Sequence, residues 1–173
     1  MKYRIISAII LVFTSAFFQS TILEIIEIFG VRPNLLIVLT VIISLLRSPV
    51  ESGIMALSFG ISMDLLMGKT IGWYGLLFFL VSIPISLINE KLYREKFLVL
   101  FSLTFVATIT IETLFAFILF IFKDLSHMPY LFGTIVLPEA LYNSILIFLL
   151  FRPIKKVYGL LDRIDRRRNR LSA

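Results

Sequence analysis

Six apolar runs, each closed by a charge, a glycine or a proline, divide the sequence: about 5–23, 33–46, 51–67, 71–88, 97–122 and 133–151. Hydropathy this dense leaves few folds open. Of 173 residues, 59% are hydrophobic and the mean hydropathy is +1.00. A water-soluble fold of this size has too little interior to hide so much apolar surface, so lipid is the expected solvent for most of the chain. In lipid every backbone polar group must be satisfied within the protein, which selects helices. The expected fold is therefore an all-α integral membrane protein: a six-helix transmembrane domain over residues 1–152, then a basic amphipathic tail over 153–173. The run at 33–46 is the short one. A span needs near 20 residues at about 1.5 Å of rise each. This run is expected to tilt little, to begin among the headgroups, or to dip in without crossing. Pro33 suits the first helical position, where a missing N–H is no loss. Pro84 is expected to kink the fourth span.

Basic residues set the orientation. With both termini in the cytoplasm, Lys2, Arg4, Arg47, Lys91, Arg94, Lys96 and the basic tail share one side. Only Arg32, Lys69 and Lys123 then face the other, which is the bias the positive-inside rule describes. The first run is expected to stay as a span, since no small-x-small cleavage site precedes Gln19. In the tail, Ile154, Val157, Leu161, Ile164 and Leu171 recur at helical spacing. Lys155, Lys156, Arg163, Arg166, Arg167, Arg168 and Arg170 fill the other faces. Such a helix can lie on an anionic leaflet, or it can be a solvated tail that sets topology. The net charge of +6 is explained by that placement, with no nucleic-acid partner required.

Polar residues inside apolar runs are the candidates for function. Asp64 lies near the end of the third run, Glu112 in the middle of the fifth, and Glu139 with Asn143 in the sixth. A charge at mid-bilayer costs on the order of 3 kcal/mol on the mildest scale. Each acid must therefore face the bundle interior, a partner helix or a wet cavity. Gly60, Asp64, Gly68 and Gly72 follow at four-residue steps, so on a helix they would share a face where another backbone can come close. Gly68 also suits a helix C-cap. Gln19, Pro33 and Asn34 sit at the same level as Asp64 and could form a polar lip above a groove. For all of these the plain alternative is helix-to-helix bonding and capping. There are no cysteines and one histidine, His127. No phosphate-binding loop, metal-ligand spacing or activated nucleophile is present, so neither a cofactor nor catalysis is expected.

The order of these features resembles a known family. The basic opening, the first span ending in Gln19-Ser20-Thr21, the stretch Gly30-Val31-Arg32-Pro33-Asn34-Leu35-Leu36 and the Gly60-x-x-x-Asp64-x-x-x-Gly68-x-x-x-Gly72 block are similar to the bacterial rod shape-determining MreD family. The resemblance implies a non-catalytic multi-pass subunit of the cytoplasmic (inner) membrane that binds MreC. It implies links through the same complex to RodA, a class B penicillin-binding transpeptidase and MreB. It also implies likeness in fold to the substrate-binding subunits of energy-coupling-factor vitamin transporters. That makes a small-molecule binding subunit with an outward cavity the alternative. Self-association is left open.

Overall fold

The computed structural model describes residues 2–27, 30–68, 72–88, 96–123 and 132–171. Six α-helices make up nearly all of them: α1 (Lys2–Ile25), α2 (Leu35–Leu46), α3 (Pro49–Met67), α4 (Trp73–Ile88), α5 (Phe97–Lys123) and α6 (Leu137–Leu171). A π-helical turn, Phe132–Val136, leads into α6. Four stretches are long and apolar enough to cross a membrane: Ile5–Leu23, Pro49–Met67, Phe97–Phe122 and Phe132–Ile164. The apolar helices α2 and α4 are shorter.

Helix ends follow local chemistry. α2 begins at Leu35, two residues later than the expected start at Pro33. Asn34 takes the extended cap conformation (φ −106°, ψ 95°), and its Oδ1 accepts from Ile37 N–H at 3.2 Å. Proline has no side-chain acceptor to offer there, so asparagine sets the start. α3 begins at Pro49 and stops at Gly68, whose φ of 63° is the left-handed C-cap conformation. α6 runs on through Pro153. The change from apolar to basic sequence at residue 152 thus falls inside a single helix of 35 residues. At about 1.5 Å per residue this is longer than the roughly 30 Å core of a bilayer.

The short run is the centre of the bundle. Leu36 through Leu45 are all buried, and α2 packs against α1, α3, α4, α5 and α6 alike. A helix apolar on every side belongs where protein surrounds it. Enclosed by protein, it need not match a bilayer's thickness. Its hydroxyls are satisfied from within, Thr40 Oγ1 on Leu36 O and Ser44 Oγ on Thr40 O, each at 2.8 Å. Among the three alternatives expected for this run, none anticipated enclosure. α1 is the opposite case. Ile6, Ile9, Phe13 and Phe17 lie exposed along it, a surface suited to hydrocarbon.

Candidate functional site

The polar residues singled out in the sequence converge on the amino end of α2. A helix leaves its first N–H groups without partners, and in a water-poor interior each must find an acceptor. Here the acceptors come from other helices. Leu35 N–H donates to Gln19 Oε1 of α1 at 2.7 Å, and Gln19 Nε2 donates to Pro33 O at 3.3 Å. Asn34 N–H donates to Asn143 Oδ1 of α6 at 2.7 Å. Asn143 Nδ2 reaches on to Thr108 Oγ1 of α5 at 3.2 Å. Gln19, Pro33, Asn34 and Asn143 are all buried. Ser20 is exposed and bonds back to Phe17 O at 3.1 Å, an ordinary helix-surface hydroxyl.

Asp64 does for α4 what Gln19 and Asn143 do for α2. Gly72 precedes α4 with φ 108° and has no side chain with which to cap it. The cap arrives from α3 instead. Asp64 Oδ2 accepts from Gly72 N–H at 2.9 Å and Gly75 N–H at 3.2 Å, and Oδ1 from Tyr74 N–H at 3.0 Å. An anion at a helix amino end also meets the favourable end of the dipole. Gly60, one turn earlier on α3, allows the two helices to meet. A Cβ there would lie 2.5 Å from Gly75 Cα and from Tyr74 O. The second backbone that the glycine–aspartate spacing calls for is thus this chain's own α4. Only Gly60 and Asp64 share the helix face, since Gly68 ends α3 and Gly72 lies beyond it.

Glu112 and Glu139 complete the cluster. Tyr74 Oη donates to Glu112 Oε2 at 3.2 Å, with Oε1 at 3.5 Å. The Tyr74 ring is held between Phe115, stacked at 4.1 Å, and Phe78, edge-on at 5.8 Å. Glu139 is buried in the first turn of α6, one helical turn before Asn143. All six helices therefore contribute to one polar layer. Among the described residues Glu112 is half-buried and accepts from Tyr74 Oη alone. The sequence reading missed Tyr74 and Thr108. A tyrosine next to Gly75 in an otherwise apolar helix was the available signal, because a buried phenol needs an acceptor.

A second cluster, at the carboxyl end of α2, was also missed. Arg47 served in the sequence only as a topology marker. Its side chain is nearly buried, at 9% exposure. Nη1 donates to Asp162 Oδ1 at 3.0 Å and Nη2 to Tyr158 O at 3.3 Å. The guanidinium lies 4.4 Å over the Tyr158 ring, and Nε is 3.6 Å from Glu51. Ser86 Oγ of α4 donates to Arg47 O at 3.0 Å. Arginine's planar fork suits such a mixture of carboxylate, carbonyl and ring. This is what docks the basic extension of α6 on the bundle.

Space is distributed unevenly between the two ends. Beside Gln19 and Arg32 the cleft holds only about 70 Å3. A cavity of about 690 Å3 lies at the opposite end, between the first half of α1, the start of α3 and the face of α6 carrying Ile154 and Leu161. Among the described residues the Asp64 side holds a packed polar layer with that small cleft, and the large void is at the Arg47 side. Lys155, Lys156 and Arg163 are exposed on α6. The side chains of Arg166, Arg167, Arg168 and Arg170 lie outside the described residues, as do Lys69, Lys91, Arg94 and His127.

Comparison with known proteins gives one match. The family model described as rod shape-determining protein MreD matches residues 1–161. No curated protein and no solved structure matches the chain.

Proposed function

The chain belongs to the MreD family of rod shape-determining proteins, and from that premise we propose that it is a non-catalytic scaffold of the cell-wall elongation complex. A role in rod-shape determination follows from the family, and the family is one of membrane proteins. The finer reading is ours. All six helices sit in the cytoplasmic membrane with both termini inside, α2 enclosed by the other five. The scaffold binds MreC and so brings RodA, its transpeptidase and MreB into one assembly. The observation that carries this reading is a family match extending over almost every helix. The polar layer supports it. Gln19, Asn143 and Asp64 spend their acceptor oxygens on backbone amides, which is how a rigid platform is built. Small-molecule sites usually occupy about 300–1,000 Å3. The cleft of about 70 Å3 beside Gln19 is too small to favour the vitamin-binding alternative.

Co-purification tests the partner. A tagged chain solubilised from cells in mild detergent is expected to bring MreC with it. Absence of MreC beside a folded, membrane-inserted chain would overturn the reading. Topology is tested separately. The chain has no cysteine, so a lone cysteine at Arg163 can be probed with a membrane-impermeant maleimide in intact cells. Protection is expected, and labelling before lysis would reverse the orientation.

A further inference from the structure

The scaffold reading leaves the cavity of about 690 Å3 at the Arg47 side without a role. Three helices wall it: α1 through Ala8 and Leu11, α3 through Ile54 and Met55, and α6 through Val157 and Leu161. Among the described residues α1 packs on α2 and α3, and the cavity occupies the space between it and the carboxyl half of α6. The α1 wall is low there, because Ser7 and Ala8 are small. Ile10, Val50 and Ile54 also line the cavity and are each more than half exposed, so it communicates with the lipid-facing sides of α1 and α3. The Glu51 carboxylate and the Tyr158 ring at its edge are engaged by Arg47. An apolar void stays dry and takes apolar guests.

Its depth says which guest. The lining begins at Ile5 and Ser48, where the spans Ile5–Leu23 and Pro49–Met67 start, and reaches Thr14, the middle of the first span. Ile5 to Thr14 is about 14 Å at 1.5 Å of rise per residue. One leaflet of a bilayer core of roughly 30 Å is about 15 Å deep. The cavity therefore has the length and direction of an acyl chain in its own leaflet. A partner's transmembrane helix has the wrong shape for it. Such a helix is about 10–12 Å across, so this volume would take no more than about 9 Å of its length, against the roughly 30 Å it must span.

We propose that one acyl chain of a phospholipid, drawn from the leaflet on the Arg47 side, occupies this cavity and joins α1 to the extension of α6. The guest supplies the dispersion contacts that the facing helices do not make with each other. The proposal rests on the membrane placement given above and not on MreC.

Phosphatidylglycerol carrying a diazirine midway along one acyl chain tests it. The full chain is reconstituted in phosphatidylethanolamine vesicles with this probe, extracted into detergent, washed free of bulk lipid and then irradiated. Native mass spectrometry should show one retained probe, and peptide mapping should place its adducts within residues 5–14, 50–55 and 154–161. Ala8→Phe puts a ring into the seat and should lower retention roughly tenfold, the scale of overpacking a filled site. Ile9→Phe adds the same ring at an exposed position outside the lining and should leave retention unchanged. Adducts as dense on the exposed Phe13 and Phe17 as on the lining would overturn the proposal. So would equal retention by the two variants. Displacement of the probe by equimolar palmitate would assign the cavity to a free fatty acid and overturn the phospholipid. Adducts on no helix at all would remove the membrane placement together with the proposal, whereas adducts confined to other faces would leave that placement standing and remove the proposal alone.

Discussion

At its amino end α2 is held by acceptors that reach in from other helices, Gln19 from α1 and Asn143 from α6, whereas at its carboxyl end a cation, Arg47, reaches out. Donor groups left over at the start of a helix call for oxygen, which Gln19 and Asn143 supply, whereas the Arg47 guanidinium bonds to α6 and Glu51 and not to the carbonyls that end α2. The ends differ in what they join. Around the amino end, short and buried side chains lock the helices to one another and leave a cleft of about 70 Å3. Around the carboxyl end, one long side chain fastens residues 115 positions away in sequence, beside a cavity of about 690 Å3. The first end is built for rigidity, and the second adds one polar anchor to the apolar packing of Ile154, Tyr158 and Leu161.

The sharpest way to break this contrast is at the α3–α4 contact. Gly60→Leu places carbon against the Tyr74–Gly75 backbone, which cannot retreat as a flexible side chain could. A loss of about 3 kcal/mol or more is expected, the upper range for overpacking. Asp64→Leu should match it by leaving the buried Tyr74 and Gly75 amides without an acceptor, at about 1–3 kcal/mol each. Thermal unfolding in detergent reads both. Midpoints near that of the unaltered chain would show that the amino end is not the rigid one.

Next in size is Arg47→Leu. It removes the bonds to Asp162 and Tyr158 O together with the ring contact, for an expected loss of about 2 kcal/mol. The local effect should exceed the global one. Trypsin should cut α6 at Arg163 faster in the variant, while the α3–α4 hairpin stays protected. Asp162→Asn should do less, at most about 1 kcal/mol, because that carboxylate is one-third exposed and screened. Unchanged cleavage in Arg47→Leu would mean that the tail is held by its apolar face alone.

The smallest effect is expected in the middle of the polar layer. The contacts from Tyr74 Oη to Glu112 are long, 3.2 and 3.5 Å, and Glu112 is partly open. Tyr74→Phe and Glu112→Gln should each shift stability by about 1 kcal/mol or less. A larger loss from Glu112→Gln than from Asp64→Leu would move the keystone of the layer from α3 to α5.

Much of this was legible in the sequence, for physical reasons. Apolar runs, Gly68 and the prolines placed the ends of the first five helices within a few residues, while the sixth runs 20 residues past its expected end at 151. Polar groups are expensive in lipid, so Gln19, Asn34, Asp64, Glu112, Glu139 and Asn143 stood out, and they do come together. What they touch was not legible. Asp64 spends both oxygens on the amides of the next helix, and spacing alone cannot tell a chain's own backbone from another's. Tyr74 was hidden by its apolar neighbours. Arg47, Tyr158 and Asp162 were hidden by a count of charges, in which every basic residue weighs the same. The brevity of α2 carried a further signal: a largely apolar helix of 12 residues is more often enclosed than a stunted span.

That enclosure bears on how the molecule is assembled. The polypeptide supplies its innermost rod second in order and the last panel of its casing at the end, when α6 is complete. At about 18 Å, by a rise of 1.5 Å per residue, the rod is too short to bridge the oily slab unaided. Its resting place exists only after nearly the whole chain has been made. A truncation that spares the rod but removes the last panel should therefore leave it homeless.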